Sequence, residues 1–294
     1  MSIDNLTIKF GKPEQAIKWE SPFLYDGEKT IIDNQIDGFL QKEGKTEEFL
    51  WEQFHKTHTK SSFNDILAKV TFINSFYNTQ IRNDHLLWVA TRIDLLNKHY
   101  KVINEKGFSE GIVDYYLSDV ANEKDCRKLV DLIAFCDIEK DSPENDKGIS
   151  AGNLYVFASK YCSWHQNKRF PIVDSLVMGL LWRVNEAGKI IAEKGFGTYR
   201  KLFYQYEMFS YSEYCDIYDD FVAFINNNKP ENTDSYDYKK VDQYAWRYIS
   251  EQLKDSDLKI ESKKKEKFGI SPDYKSHPEI ISTAKQNLEE FINV

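Results

Sequence analysis

Cysteine is scarce and scattered in this chain. The four residues Cys126, Cys136, Cys162 and Cys215 form no C-x-x-C pair, so they offer no zinc or iron–sulfur framework and suit reduced thiols. Long apolar runs are missing as well: none approaches 18 residues, and no transmembrane helix is expected. The opening "MSIDNLTIKFGKPEQ" lacks an apolar core segment and carries early acids, unlike a secretory leader. These absences predict a cytoplasmic protein with no membrane contact, no metal site and no cofactor. Excess positive charge is also absent. The net charge of −8 argues against a strongly basic nucleic-acid binder, while leaving room for a local basic face.

What is present fits a folded globular protein. The chain has 294 residues, enough for one large domain or two small ones, and its 41% hydrophobic and 15% aromatic content excludes a disordered one. No internal repeat is visible. Residues 1–45 read as an irregular N-terminal segment, with Gly11-Lys-Pro13 and Asp26-Gly27 as turn signals. From Thr46 the pattern turns helical. "TEEFLWEQFHKTH" opens on a Thr cap, and "SSFNDILAKVTFINSFYNTQI" and "DHLLWVATRIDLLNKHY" place apolar residues at helical spacing. Further helices are predicted near 109–118, 123–136, 150–164, 171–185, 198–209, 211–227 and 236–253. "DIEKDSPENDKG" is a polar linker between helical layers, and residues 256–294 read as a charged segment followed by a last amphipathic helix. Very little reads as strand, so the class is mostly α.

One segment holds the chemistry. A polar turn, "GISAGN", opens the helix that ends near Trp164; about eight residues then lead to Asp174 in the first turn of the next helix. Eight extended residues reach roughly 26 Å, enough to run back along the whole preceding helix. Asp174 can thus return to the N-terminal turn at Ser150, Gly152 and Asn153, whose free N–H groups are a natural seat for a phosphate. A carboxylate near a helix start is also an ordinary cap. Residues 151–210 carry eight Lys or Arg against four acids, a local excess that includes Lys168 and Arg169 and suits a phosphate backbone.

This arrangement resembles the helix-hairpin-helix DNA glycosylase superfamily. "PIVDSLV" matches its V-D-x-x-V context at Val173, Asp174 and Val177, and "FINSFYNTQIRND" is similar to the helix and loop that fill the space left by an extruded nucleotide. "VDQYAWRYI" is similar to a late helix of some bacterial members. The resemblance covers roughly residues 60–250 and is nearest to the 8-oxoguanine-glycosylase-like branch. It implies a two-layer helical fold over residues 46–255, with a hairpin-like unit at 148–185 and a cleft between helical subdomains. It further implies a monomer that acts on duplex DNA bearing a damaged or modified base. Asp174 would be the catalytic acid, and Asn78, Thr79, Gln80 and Arg82 the residues of the gap-filling loop. Two features depart from the family. "KGISAGN" stands in place of Gly-Val-Gly, and the place of the Schiff-base lysine falls on Tyr155 or Val156. Lys160 is either a displaced catalytic amine or a structural cation. The rival reading is a non-catalytic helical module that binds DNA or protein, with Asp174 only a cap.

Overall fold

A computed structural model describes residues 7–9, 16–18, 25–26, 29–55, 62–77, 79, 81–103, 106–119, 121, 126–135, 151–173, 177 and 211–255. Helix accounts for 74% of them, which makes the class mostly α. The eight helices among these residues are α1 (Ile31–His55), α2 (Phe63–Tyr77), α3 (Leu86–His99), α4 (Ile112–Tyr116), α5 (Lys128–Phe135), α6 (Ala151–His165), α7 (Tyr211–Asn228) and α8 (Tyr238–Asp255). Three antiparallel hairpins accompany them: β1 (Thr7–Lys9) with β2 (Ala16–Lys18), β3 (Tyr25–Asp26) with β4 (Lys29–Thr30), and β5 (Lys101–Ile103) with β6 (Ser109–Gly111).

The chain forms two compact units. The first comprises Met1–Lys45, Val173–Glu207 and Tyr214–Ile270; the second comprises Thr46–Ile172, Met208–Glu213 and Ser271–Val294. In the first unit α1 begins at Ile31, well before the expected start at Thr46. The cause is local. Asp33 N–H donates to Thr30 Oγ1 at 3.2 Å, and the same hydroxyl donates to Asp33 Oδ2 at 2.6 Å, a reciprocal cap. Gly38 weakens the helical pattern by about 1 kcal/mol relative to Ala. The Arg247 guanidinium lies against it, 3.4 Å from where a Cβ would stand, an ordinary contact distance. Asp33 Oδ1 also accepts from Tyr236 Oη at 2.9 Å, tying α1 to the turn before α8.

The second unit holds every residue of the predicted site except Asp174. Its core comprises Phe54, Ile66, Val70, Ile73, Val89, Ile93, Leu129, Ile133, Phe157 and Tyr161, each 1% exposed or less. Here α2 packs on α3 and α6, and α5 packs on α6. Ser62 and Asp65 cap α2: Asp65 Oδ2 accepts from Ser62 N–H at 3.1 Å and from Ser62 Oγ at 2.6 Å. These bonds hold the Asp65 carboxyl below its usual pKa, with Ser62 the main cause.

The helix expected over 109–118 starts only at Ile112, because Ser109–Gly111 pairs with Lys101–Ile103 as a strand. Asn97 reaches across from α3, and its Oδ1 accepts from Val113 N–H at 2.9 Å and Asp114 N–H at 3.0 Å. Asn97 is thus the cap of α4, supplied from another helix. Its approach requires glycine at 111, where a Cβ would collide with Asn97 Oδ1. Gly107, at φ 77°, makes the turn between β5 and β6 in the left-handed region that favours glycine.

Candidate functional site

The predicted site is built around α6 and the segment that leaves it. α6 is buried on most sides, and its C-terminal half carries Tyr161, Trp164 and His165 into an aromatic cluster. The Phe54 ring of α1 lies 5.9 Å from Tyr161, 6.2 Å from Trp164 and 4.9 Å from His165. Trp164 also packs 5.7 Å from Tyr77, the last residue of α2. It is 4% exposed and belongs to the core.

Lys160 lies on α6, 5% exposed. Its Nζ sits 5.5 Å from the Tyr77 ring centroid and donates to the Tyr77 carbonyl at 3.5 Å, the long end of the hydrogen-bond range. A cation at the last carbonyls of a helix is favoured by the dipole. Lys160 therefore joins α6 to the end of α2, from which the predicted gap-filling loop departs. Tyr77 Oη donates in turn to Glu47 Oε1 of α1 at 2.8 Å.

Of that loop, Asn78 and Gln80 lie outside the described residues. Thr79 is 3% exposed and its hydroxyl donates to Asn74 Oδ1 at 2.6 Å, so it faces inward at the end of α2. Arg82 faces solvent. Its guanidinium holds Asp84 through Nε at 3.1 Å and Nη2 at 2.6 Å, both partners more than half exposed.

On the other side, α6 ends in a turn over Gln166–Arg169. Arg169 and Phe170 N–H groups donate to the Gln166 carbonyl at 3.0 and 3.2 Å. Lys168 is exposed at this turn. Arg169 is not. Its Nη1 donates to the carbonyls of Ser118 and Ala121, both at 3.0 Å, and its Nη2 to that of Asp119 at 2.8 Å. Gln166 Nε2 adds a bond to Asp119 Oδ1 at 2.8 Å. Expected on a phosphate backbone, Arg169 instead fastens the exit of α6 to the turn after α4. The next residues, Phe170, Ile172 and Val173, are at most 3% exposed.

Asp174 and Ser150 lie outside the described residues. Gly152 and Asn153 occupy the first turn of α6. Among the described residues no group of three or more His, Cys, Asp or Glu could hold a metal ion, and no helix is long and apolar enough to cross a membrane. Cys126, Cys162 and Cys215 are buried and form no disulfide among the described residues. Burial pushes the Cys162 thiol well up from its ordinary value.

Two residues that sequence reasoning missed stand close to this site. Lys69 of α2 is 2% exposed, and its Nζ has no hydrogen-bond partner among the described residues. It lies 5.4 Å from the Phe54 ring centroid. Desolvation brings its pKa down to about 8, against the opposing pull of Asp65 and Asp114. Burial in turn raises the Asp114 carboxyl, with Asn97 and Lys69 opposing. The signal was in the register: Lys69 falls three residues after Ile66 and four before Ile73, on the apolar stripe of α2. Asp131 is the second, the lone acid in "KLVDLIAF", 6% exposed.

Residues 31–169, from the start of α1 to Arg169, match a family model described as HI_0787_N, an N-terminal domain. No curated protein and no solved structure matches the chain.

Proposed function

We propose that this protein is a DNA glycosylase that extrudes one damaged or modified base from duplex DNA and hydrolyses its N-glycosidic bond. The observation that carries the reading is the packing of α6 on the last turn of α2, through Lys160, Tyr77 and Trp164. It joins the helix that precedes "PIVDSLV" to the end of the helix in "FINSFYNTQIRND", through residues 83 apart in the chain.

In this reading the protein binds as a monomer to the phosphate backbone, with Lys168 and Arg82 as the exposed cations. It bends the duplex and swings out one nucleotide. The bond between C1′ and the base nitrogen breaks, the base leaves with a proton, and water adds its oxygen to C1′, giving an abasic site. Asp174 stabilises the oxocarbenium-like sugar and orients that water; a fixed negative charge beside a developing cation is the largest effect available. Oxidised guanine is the first base to test. The role is DNA repair or defence against modified foreign DNA. The contact of Lys160 with the end of α2 favours a structural cation over a nucleophile, so the enzyme is monofunctional and borohydride should trap no covalent adduct.

The test uses duplex oligonucleotides bearing a panel of modified bases, read as alkali-labile sites. Wild type should cut at one of them, and Asp174→Asn should not, since it keeps shape and capping ability but loses charge. Full activity in the Asn variant, or no excision of any base by wild type, would sink the assignment.

A further inference from the structure

The described residues between α2 and α3 divide into those that anchor the chain and those that leave it. Thr79, Ile81 and Leu86 are buried. His85 N–H donates to the Arg82 carbonyl at 2.9 Å, closing the single turn Asn83–His85 ahead of α3. Arg82 itself is extended, with φ −64° and ψ 145°, and its side chain leaves the chain just before that turn.

Three polar side chains meet at the turn. The Asp84 carboxylate accepts from Arg82 Nε at 3.1 Å on one oxygen and from Arg82 Nη2 at 2.6 Å on the other. Its Oδ1 also stands 4.0 Å from His85 Nε2. Arg82 and Asp84 are more than half exposed. The His85 side chain is only 10% exposed, and its Nδ1 is buried with no hydrogen-bond partner among the described residues. A guanidinium fork on two oxygens is the geometry by which arginine takes a phosphate as readily as a carboxylate. An ion pair so exposed contributes only about 0–1 kcal/mol, so the fold does not depend on it. The buried side chains already hold the backbone in place.

We infer that Asp84 holds the place of a DNA phosphate in the free protein: Arg82 grips its carboxylate until a phosphodiester takes the same two N–H groups. The inference rests on the DNA-binding part of the glycosylase reading. Once displaced, the carboxylate has a second donor within a short swing, the Nε2–H of the anchored His85 imidazole. A duplex that does not bring a phosphate to Arg82 leaves the acid in place, and its charge then opposes binding. Asp84 thus keeps the guanidinium aimed while it lowers indiscriminate affinity.

The experiment is a double-mutant cycle on Kd, read by anisotropy with an unmodified fluorescent duplex. Asp84→Asn keeps the shape, loses the charge and should tighten binding about 5-fold. In an Arg82→Ala background the same change should tighten it less than about 2-fold. Equal tightening in both backgrounds would make Asp84 a general repulsive charge. Unchanged or weaker binding by Asp84→Asn would make it a residue of the loop's own structure. Either result overturns the inference. Inorganic phosphate, at matched ionic strength, separates the two sources of the ligand and should leave the wild-type Kd unchanged. Competition in wild type that is lost in Arg82→Ala would give the place to free phosphate and overturn the assignment to DNA. Base excision by wild type beside equal tightening in both backgrounds removes only this inference. No duplex binding by wild type or by Asp84→Asn removes the glycosylase reading and the inference together.

Discussion

The two irregular segments that flank α6 and follow α2 are held in opposite ways. Residues 166–173 are fastened by remote partners: Arg169 to three carbonyls at 118–121, Gln166 to Asp119, Pro171 to Tyr211. In the second segment Thr79 is held by Asn74 and Arg82 by Asp84, their own neighbours. Most polar groups of the first segment are spent on the fold. The outward charges of the second are free to exchange partners, because an exposed ion pair is worth only about 0–1 kcal/mol. One segment is a frame, while the other keeps its charged side chains outward.

Arg169→Ala tests the frame and should have the largest effect. It removes a charged donor from three carbonyls that are part-buried or exposed, and we expect a loss of about 3 kcal/mol in urea unfolding. A loss below about 0.5 kcal/mol would show that 166–173 does not depend on these bonds and would end the contrast.

Lys69→Met tests the packing beneath both segments and should act in the other direction. The folded pKa of Lys69 is about 8 against an ordinary 10.5, so the unfolded state binds more protons between these values. Stability therefore rises with pH across that window, and the full penalty, of order 3 kcal/mol at most, is present below it. Met removes the charge and keeps the stem. The variant should exceed wild type by about 2 kcal/mol at pH 7, and the gap should close as pH approaches 10. A gap independent of pH would mean that burial of charge is not the cause.

Arg82→Ala sharpens the comparison from the other side, with the smallest effect on the fold. Stability should change by less than about 0.5 kcal/mol. Affinity for duplex DNA should weaken uniformly across sequences, and the salt dependence should lose about one unit of slope. Unchanged salt dependence would take Arg82 off the phosphate backbone.

The helices were legible wherever apolar spacing ran without interruption. The expected 150–164, 211–227 and 236–253 became Ala151–His165, Tyr211–Asn228 and Tyr238–Asp255. The first half of α1 was not legible, because Gly38 and Gly44 interrupt a pattern that Ile32, Ile36 and Phe39 nonetheless keep. The site was legible only as candidate residues. Arg169 has the charge and place of a phosphate ligand, and nothing nearby reveals that its acceptors lie about 50 residues upstream. Thr79 and Lys69 show the same gap from two sides. The sequence displays residue type and spacing, while the partner across the core decides whether a polar group turns in or out.

The bond between Tyr236 and Asp33 has a consequence for the order in which the chain can become structured during synthesis. It joins residues 203 apart, so the start of α1 lacks this partner until α8 is about to emerge. The second unit is different: its main stretch, Thr46–Ile172, is continuous, and its two largest helix pairs, α2 with α3 and α5 with α6, are neighbours in the chain. Contacts between nearby residues form early, and those closing long loops form late. A nascent chain released near residue 172 should therefore already protect the amides of α2 and α3 from exchange, while the first turn of α1 waits for its last partner to be made.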